Sequence, residues 1–109
     1  MGGSILIAKD NGVALNSLTF DYIIEKIRPY FRDTEHQCRN EIYEPVDEGG
    51  MSFLSLWEQN EKGVEAFFYA VSTAFEQEIK EGDLSLEAVW NEILDAIKLD
   101  SRLGSGSVT

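Results

Sequence analysis

The sequence predicts a mainly α fold: a small domain of three to four helices with a short N-terminal β-hairpin. Three observations support that reading. Apolar residues recur at helical spacing around residues 20–31, 64–79 and 86–97, the mark of helices with one face turned toward a core. Capping residues and a glycine stand where those stretches begin and end. A chain of 109 residues, 43% apolar and 11% aromatic, can also bury one small core.

The ends MGGS (residues 1–4) and GSGSVT (residues 104–109) are built of small residues and are expected to fray, leaving residues 5–103 as a single helical domain. Ile5–Ala8 is a short apolar run followed by Asp10-Asn11-Gly12. Asn-Gly favours the positive φ values of a type I′ turn, so Val13–Leu15 is expected to return as a second strand. The first helix is expected to take Thr19 as N-cap, with Leu18 and Ile23 as a hydrophobic staple. Phe20, Ile23, Ile24, Ile27 and Phe31 form its inner face, and Pro29 is expected to kink or stop it. Thr34 and Gln37 stand at capping-box spacing and open a shorter helix, from Glu35 to about Ile42.

Residues 43–60 carry weaker signals. Glu44 before Pro45 favours extended backbone, Gly49-Gly50 marks a turn, and Met51–Leu56 reads as an ordered loop or short strand. From Asn60 the pattern is plain again: Val64, Phe67, Phe68, Val71, Ala74, Phe75 and Ile79 form one stripe, closed by Gly82 as C-cap. Ser85 opens the last helix, with Leu86, Val89, Trp90, Ile93, Leu94 and Ile97 facing inward. No internal repeat is visible.

The charge balance narrows the function. Twenty acids face nine bases, a net charge of −11. Disordered acidic chains lack aromatics, whereas this one has six Phe, four Tyr and two Trp. The excess is concentrated: residues 41–95 hold 14 acids and two bases, and the rest of the chain is nearly neutral. Such a surface repels nucleic acid and anionic membranes and favours rapid capture of a basic protein. Glu76, Glu78, Glu87 and Glu92 read as solvated outer helix faces. Glu41, Glu44, Asp47 and Glu48 differ, because negative charge at a helix C-terminus opposes the macrodipole. One cysteine, Cys38, excludes an internal disulfide and fits a reducing compartment. No run reaches the length of a membrane span, and MGGSILIA lacks the basic and apolar regions of a signal peptide; the cytoplasm is the expected location.

No catalytic or metal constellation stands out, and neither enzyme activity, cofactor nor metal is expected. His36 is the only histidine, and no nucleophile elbow accompanies it. Cys38 lies two residues on, about 200° around a helix, and does not pair with it directly. Asp47-Glu48-Gly49-Gly50 lacks the alternating oxygen ligands of a calcium loop, although Glu58 falls at its twelfth position. With 20 acids some carboxylate pair always looks plausible, so pairing carries no signal. No phosphate-binding glycine loop is present. The Phe67-Phe68-Tyr69 cluster, Phe75 and Trp90 read as core; Tyr43 and Trp57 flank the acidic segment and read as core edge or interface anchors.

The stretch DEGGMSFLSLWEQNEKGVEAFFYAV, residues 47–71, resembles bacterial immunity proteins of contact-dependent inhibition and polymorphic-toxin systems, in which an acidic Gly-Gly loop precedes an aromatic-rich helix. The resemblance implies a toxin inhibitor whose partner is a cognate toxin domain with a basic surface, a nuclease above all. In that reading Glu41, Glu44, Asp47, Glu48, Glu58 and Glu61 supply the charge complement, while Tyr43 and Trp57 anchor the contact. An acidic adaptor for another basic protein has the same composition. A DNA mimic requires carboxylates spaced like duplex phosphates. An enzyme requires a concave pocket with a perturbed carboxylate.

Overall fold

The computed structural model describes residues 2–103. Its elements are β1 (Gly2–Ala8), β2 (Asn11–Asn16), α1 (Ser17–Ile27), α2 (His36–Asp47), β3 (Phe53–Ser55), α3 (Glu61–Lys80) and α4 (Glu87–Lys98), with 3-10 turns at Arg28–Tyr30 and Asp33–Glu35. The expected mainly α fold with an N-terminal hairpin is present, and four helices form it. The hairpin gains a third strand: the sheet order is β2-β1-β3, and β3 runs parallel to β1. Leu54 and Leu56 face the core while Phe53 and Ser55 are half-buried, the period-two pattern that makes this segment a strand.

Three boundaries in the hairpin and the start of α1 differ from expectation. β1 begins at Gly2, so Gly2, Gly3 and Ser4 pair with Asn16, Leu15 and Ala14 instead of fraying. Gly3 is required there, because a Cβ would stand 2.2 Å from the Phe20 ring. The expected tail at 104–109 lies outside the described residues. The hairpin turns at Lys9-Asp10, not at Asn11-Gly12, which keeps Val13 opposite Ile5 with both in the core. Asn11 donates its side-chain amide to the Ala96 carbonyl at 2.6 Å instead, tying the hairpin to α4. Third, α1 starts at Ser17, since Asn16 rather than Thr19 is the N-cap and accepts from the Thr19 amide at 2.9 Å. Leu18 is 83% exposed, so no staple forms.

α2 runs five residues past its expected end, through Pro45. A proline in the last turn forgoes only one backbone bond, and long-range contacts offset it. Tyr43 donates its hydroxyl to the Ile24 carbonyl, and the Arg28 guanidinium grips Asp47 at 2.9 and 3.1 Å. The capping role expected of Thr34 and Gln37 falls to Arg32 and Glu35, whose carboxylate accepts from the Arg32 amide at 2.8 Å.

α3 and α4 follow their stripes closely. Asn60 caps α3, accepting from the Gly63 amide at 2.9 Å, and Gly82 follows its end at φ 80°, where a glycine escapes the Cβ penalty. α4 starts at Glu87, two residues later than expected. Phe67 and Trp90 are fully buried, and Trp90 stacks on Phe75 at 6.0 Å. Tyr69, read as core, is 44% exposed and Ile79 46%, so both lie off the core face. Glu78, read as solvated, is buried: Tyr22 donates its hydroxyl to it, Trp90 Nε1 donates at 3.2 Å, and Lys26 Nζ lies 3.5 Å away. One carboxylate thus joins α1, α3 and α4.

Candidate functional site

The outer face of α2 repeats polar residues at helical spacing. Gln37, Asn40, Glu41, Glu44, Asp47 and Glu48 line one shallow concavity along it. Glu44 and Glu48 are exposed and have no cation partner among the described residues. Asp47 is different. Its bidentate bond to Arg28 holds its carboxyl below the usual range, so its charge is largely spent within the fold.

Glu41 stands where this ridge meets a second concavity of about 680 Å³ between α2 and the start of α3. It accepts from Gln59 Nε2 at 3.0 Å and Gln37 Nε2 at 3.2 Å, and these amides lower its pKa. Across the groove stand Glu58 and Glu65, with Lys62 beside them. Arg32 also borders it, paired with Glu35 at 2.7 Å, so the groove is mixed in charge. Glu58 is exposed and Glu61 lies in the first turn of α3, where negative charge favours the helix dipole. Trp57, just before Glu58, is 50% exposed and presents apolar surface next to the acids.

Tyr43 corrects the expectation of two anchors. It is 0% exposed, lies beneath the Arg28 guanidinium at 4.2 Å and meets Phe31 edge-on at 6.3 Å. Burial, more than any neighbouring charge, raises its phenol pKa. A side chain with no exposed surface cannot anchor a partner; it anchors α2. The structure therefore brings Glu41, Glu44 and Glu48 along one face of α2 with Glu58 across the adjoining groove, leaves Trp57 exposed beside Glu58 in the chain, and leaves out Tyr43.

Two contributors escaped the sequence reading. Gln59 is 92% buried and links Glu41 on α2 to the entry of α3. Arg102 locks the same segment from the other side, with Nη1 donating to the Leu56 and Gln59 carbonyls at 2.7 and 2.6 Å and Nη2 to the Ile7 carbonyl at 2.7 Å. Asp100 orients that fork at 2.8 Å. The segment bearing Trp57 and Glu58 is thus fixed at both ends. Only the start of the α3 pattern at Asn60 hinted at this, and no local pattern announces Arg102.

The arrangement offers charge, not reaction chemistry. The Cys38 thiol is half-buried, and desolvation raises its pKa, away from nucleophilic character. His36 is exposed, 3.8 Å from Asp33. No group of three potential metal ligands gathers among the described residues.

No family model matches the chain. It is 35% identical over 105 residues to the immunity protein CdiI of Burkholderia pseudomallei, a match covering 95% of this chain and 96% of that protein. A chain of the solved CdiA-CT toxin from Burkholderia pseudomallei E479 in complex with its cognate CdiI immunity protein superposes with a TM-score of 0.88 at 34% identity. That superposition spans 94% of this chain and 99% of the other.

Proposed function

The chain belongs to the CdiI immunity proteins, and on that premise we propose that it binds and neutralises a cognate CdiA-CT toxin domain through the acidic surface of α2 and the Trp57–Glu58 segment. The observation that carries this reading is the placement of Glu41, Glu44 and Glu48 on successive turns of one helix face, with Glu58 across the groove. Glu61 lies in the first turn of α3 and lines neither concavity. Asp47 contributes less than its position in the sequence implies, because Arg28 already neutralises it.

The partner that fits is a protein with a basic surface, and a nuclease has one because it must hold phosphates. The inhibitor acts in the cytoplasm, as a binding protein and not as an enzyme. Long-range attraction raises its association rate, and Trp57, desolvated against the toxin, slows dissociation. Glu44→Lys with Glu48→Lys tests the charge without disturbing the Arg28–Asp47 pair. Against the cognate toxin domain, surface plasmon resonance should show roughly a tenfold or greater loss of affinity, mainly in the association rate. Unchanged kinetics would exclude this face from binding.

A further inference from the structure

The sheet has a buried face, carrying Ile5, Ile7, Val13 and Leu54, and an outer face that stays accessible. Strand register places Ala14, Ser4 and Phe53 in one row across the outer face and Gly12, Leu6 and Ser55 in the next. Gly12 and Ala14 are exposed, and the other four are half-buried.

A sheet face that meets water ordinarily carries polar side chains, and edge strands carry charge, Lys above all, to discourage pairing. Here no residue of β1, β2 or β3 is charged, in a chain with 20 acids and 9 bases. The charge lies at the rim. α2 packs along β3 and ends at Asp47 with Glu48 next to it, while Trp57 and Glu58 stand two and three residues past the end of β3. Met51, just ahead of β3, and Trp57, just after it, are 53% and 50% exposed. The surface is therefore an uncharged centre with an acidic border on its β3 side.

We propose that this outer sheet face is a docking surface for the cognate toxin domain, which sets an uncharged apolar patch on Leu6, Ala14 and Phe53 and basic residues against Glu48 and Glu58. The inference rests on the immunity reading and extends it beyond the acidic face. Size and charge select the occupant. Strands of seven, six and three residues at about 4.8 Å spacing span roughly 250 Å², well short of the ~800 Å² per partner of a stable interface. The contact must continue onto the rim, where a second copy of this chain would meet its own acids. A protein with a basic border meets complementary charge instead.

Ala14→Glu and Ala14→Arg place a charge on the exposed edge strand without touching the core, and Ala88→Glu, on the exposed side of α4, serves as control. Titration calorimetry with the cognate CdiA-CT domain from the same strain should show both Ala14 variants weakened at least about tenfold, with Tm and the control unchanged. Amide exchange of the wild-type complex should show new protection in β2, a readout that stands even if a variant folds poorly. Wild-type affinity in both Ala14 variants, with no β2 protection, would overturn the proposal. If Glu44→Lys with Glu48→Lys still weakens binding in the same series, the acidic-surface reading survives that failure. A wild type that binds no toxin sinks both. A wild-type dimer in sedimentation, dispersed by Ala14→Arg at unchanged toxin affinity, would assign the face to a second copy and also overturn the proposal.

Discussion

At Glu78 three donors from two other helices converge on one buried carboxylate: Tyr22 Oη and Lys26 Nζ from α1 and Trp90 Nε1 from α4. Such a group is tolerated only because its partners replace the lost water. Removing it strands the indole N–H of Trp90, itself 1% exposed, and leaves a void between α1, α3 and α4. Glu78→Ala is therefore expected to destabilise by about 3–5 kcal/mol, read from urea unfolding. Glu78→Gln keeps the volume and one acceptor, and is expected to cost about 1–2 kcal/mol. Equal losses for the two would show that the cavity, not the polar network, sets the cost. The same bond has a second readout. Donation to Glu78 raises the Tyr22 phenol pKa, with desolvation adding to it. A raised folded-state value contributes stability below the unfolded pKa near 10, and that contribution disappears as pH climbs through the folded value. In Glu78→Gln the Tyr22 titration, followed by its ultraviolet absorbance, should move back toward pH 10.

Among the elements, α2 departs most from its sequence signal, and its last turn depends on distant residues. Pro45 removes a backbone donor, and the turn holds because Arg28 bridges Asp47 and also covers the Tyr43 ring. Asp47→Ala should fray this turn, so that amide exchange accelerates from Val46 to Met51. Global stability should fall by only about 0–1 kcal/mol, as expected for a pair that solvent reaches. Full protection in that variant would mean Tyr43 alone secures the helix. This dependence also explains what the sequence could disclose. α3 and α4 were legible because stripe, cap and terminating glycine lie within each segment, as at Asn60 and Gly82. The end of α2 and the parallel pairing of β3 depend on Arg28, Ile24 and β1, which no local window contains. The acids of the candidate site were visible by composition, but which were free was not. Asp47 and Asp100 turn inward to arginines and Glu78 to buried donors, while Glu44 and Glu48 face water. Tyr43 was misplaced for the same reason: an aromatic beside acids looks alike whether its ring points out or in.

For the whole molecule, the net charge of −11 acts in opposite directions on folding and on binding. Unpaired acids at the surface repel one another in the compact state, and that repulsion opposes folding. The same field attracts a basic toxin. Raising ionic strength from about 0.05 M to about 0.5 M shortens the Debye length from roughly 14 Å to roughly 4 Å, so both effects weaken together. The free protein should gain Tm with salt while the toxin's association rate falls, measurable by calorimetry and stopped-flow mixing. Acid separates two further contributions. Asp47, Glu35 and Asp100 have carboxyls held below their usual range by Arg28, Arg32 and Arg102, Glu35 against a desolvation that opposes it. A depressed folded value contributes stability above the unfolded pKa near 4 and loses it as pH falls through the folded value. Acidification also lowers the net negative charge, which relieves repulsion in the compact state. The two combine into a stability maximum just above pH 4 or so, followed by a steep decline as the arginine-bound carboxylates protonate. A profile that kept rising below pH 3 or so would show that repulsion outweighs the internal ion pairs, and would move the fold's electrostatic weight from its three arginine bridges to its surface.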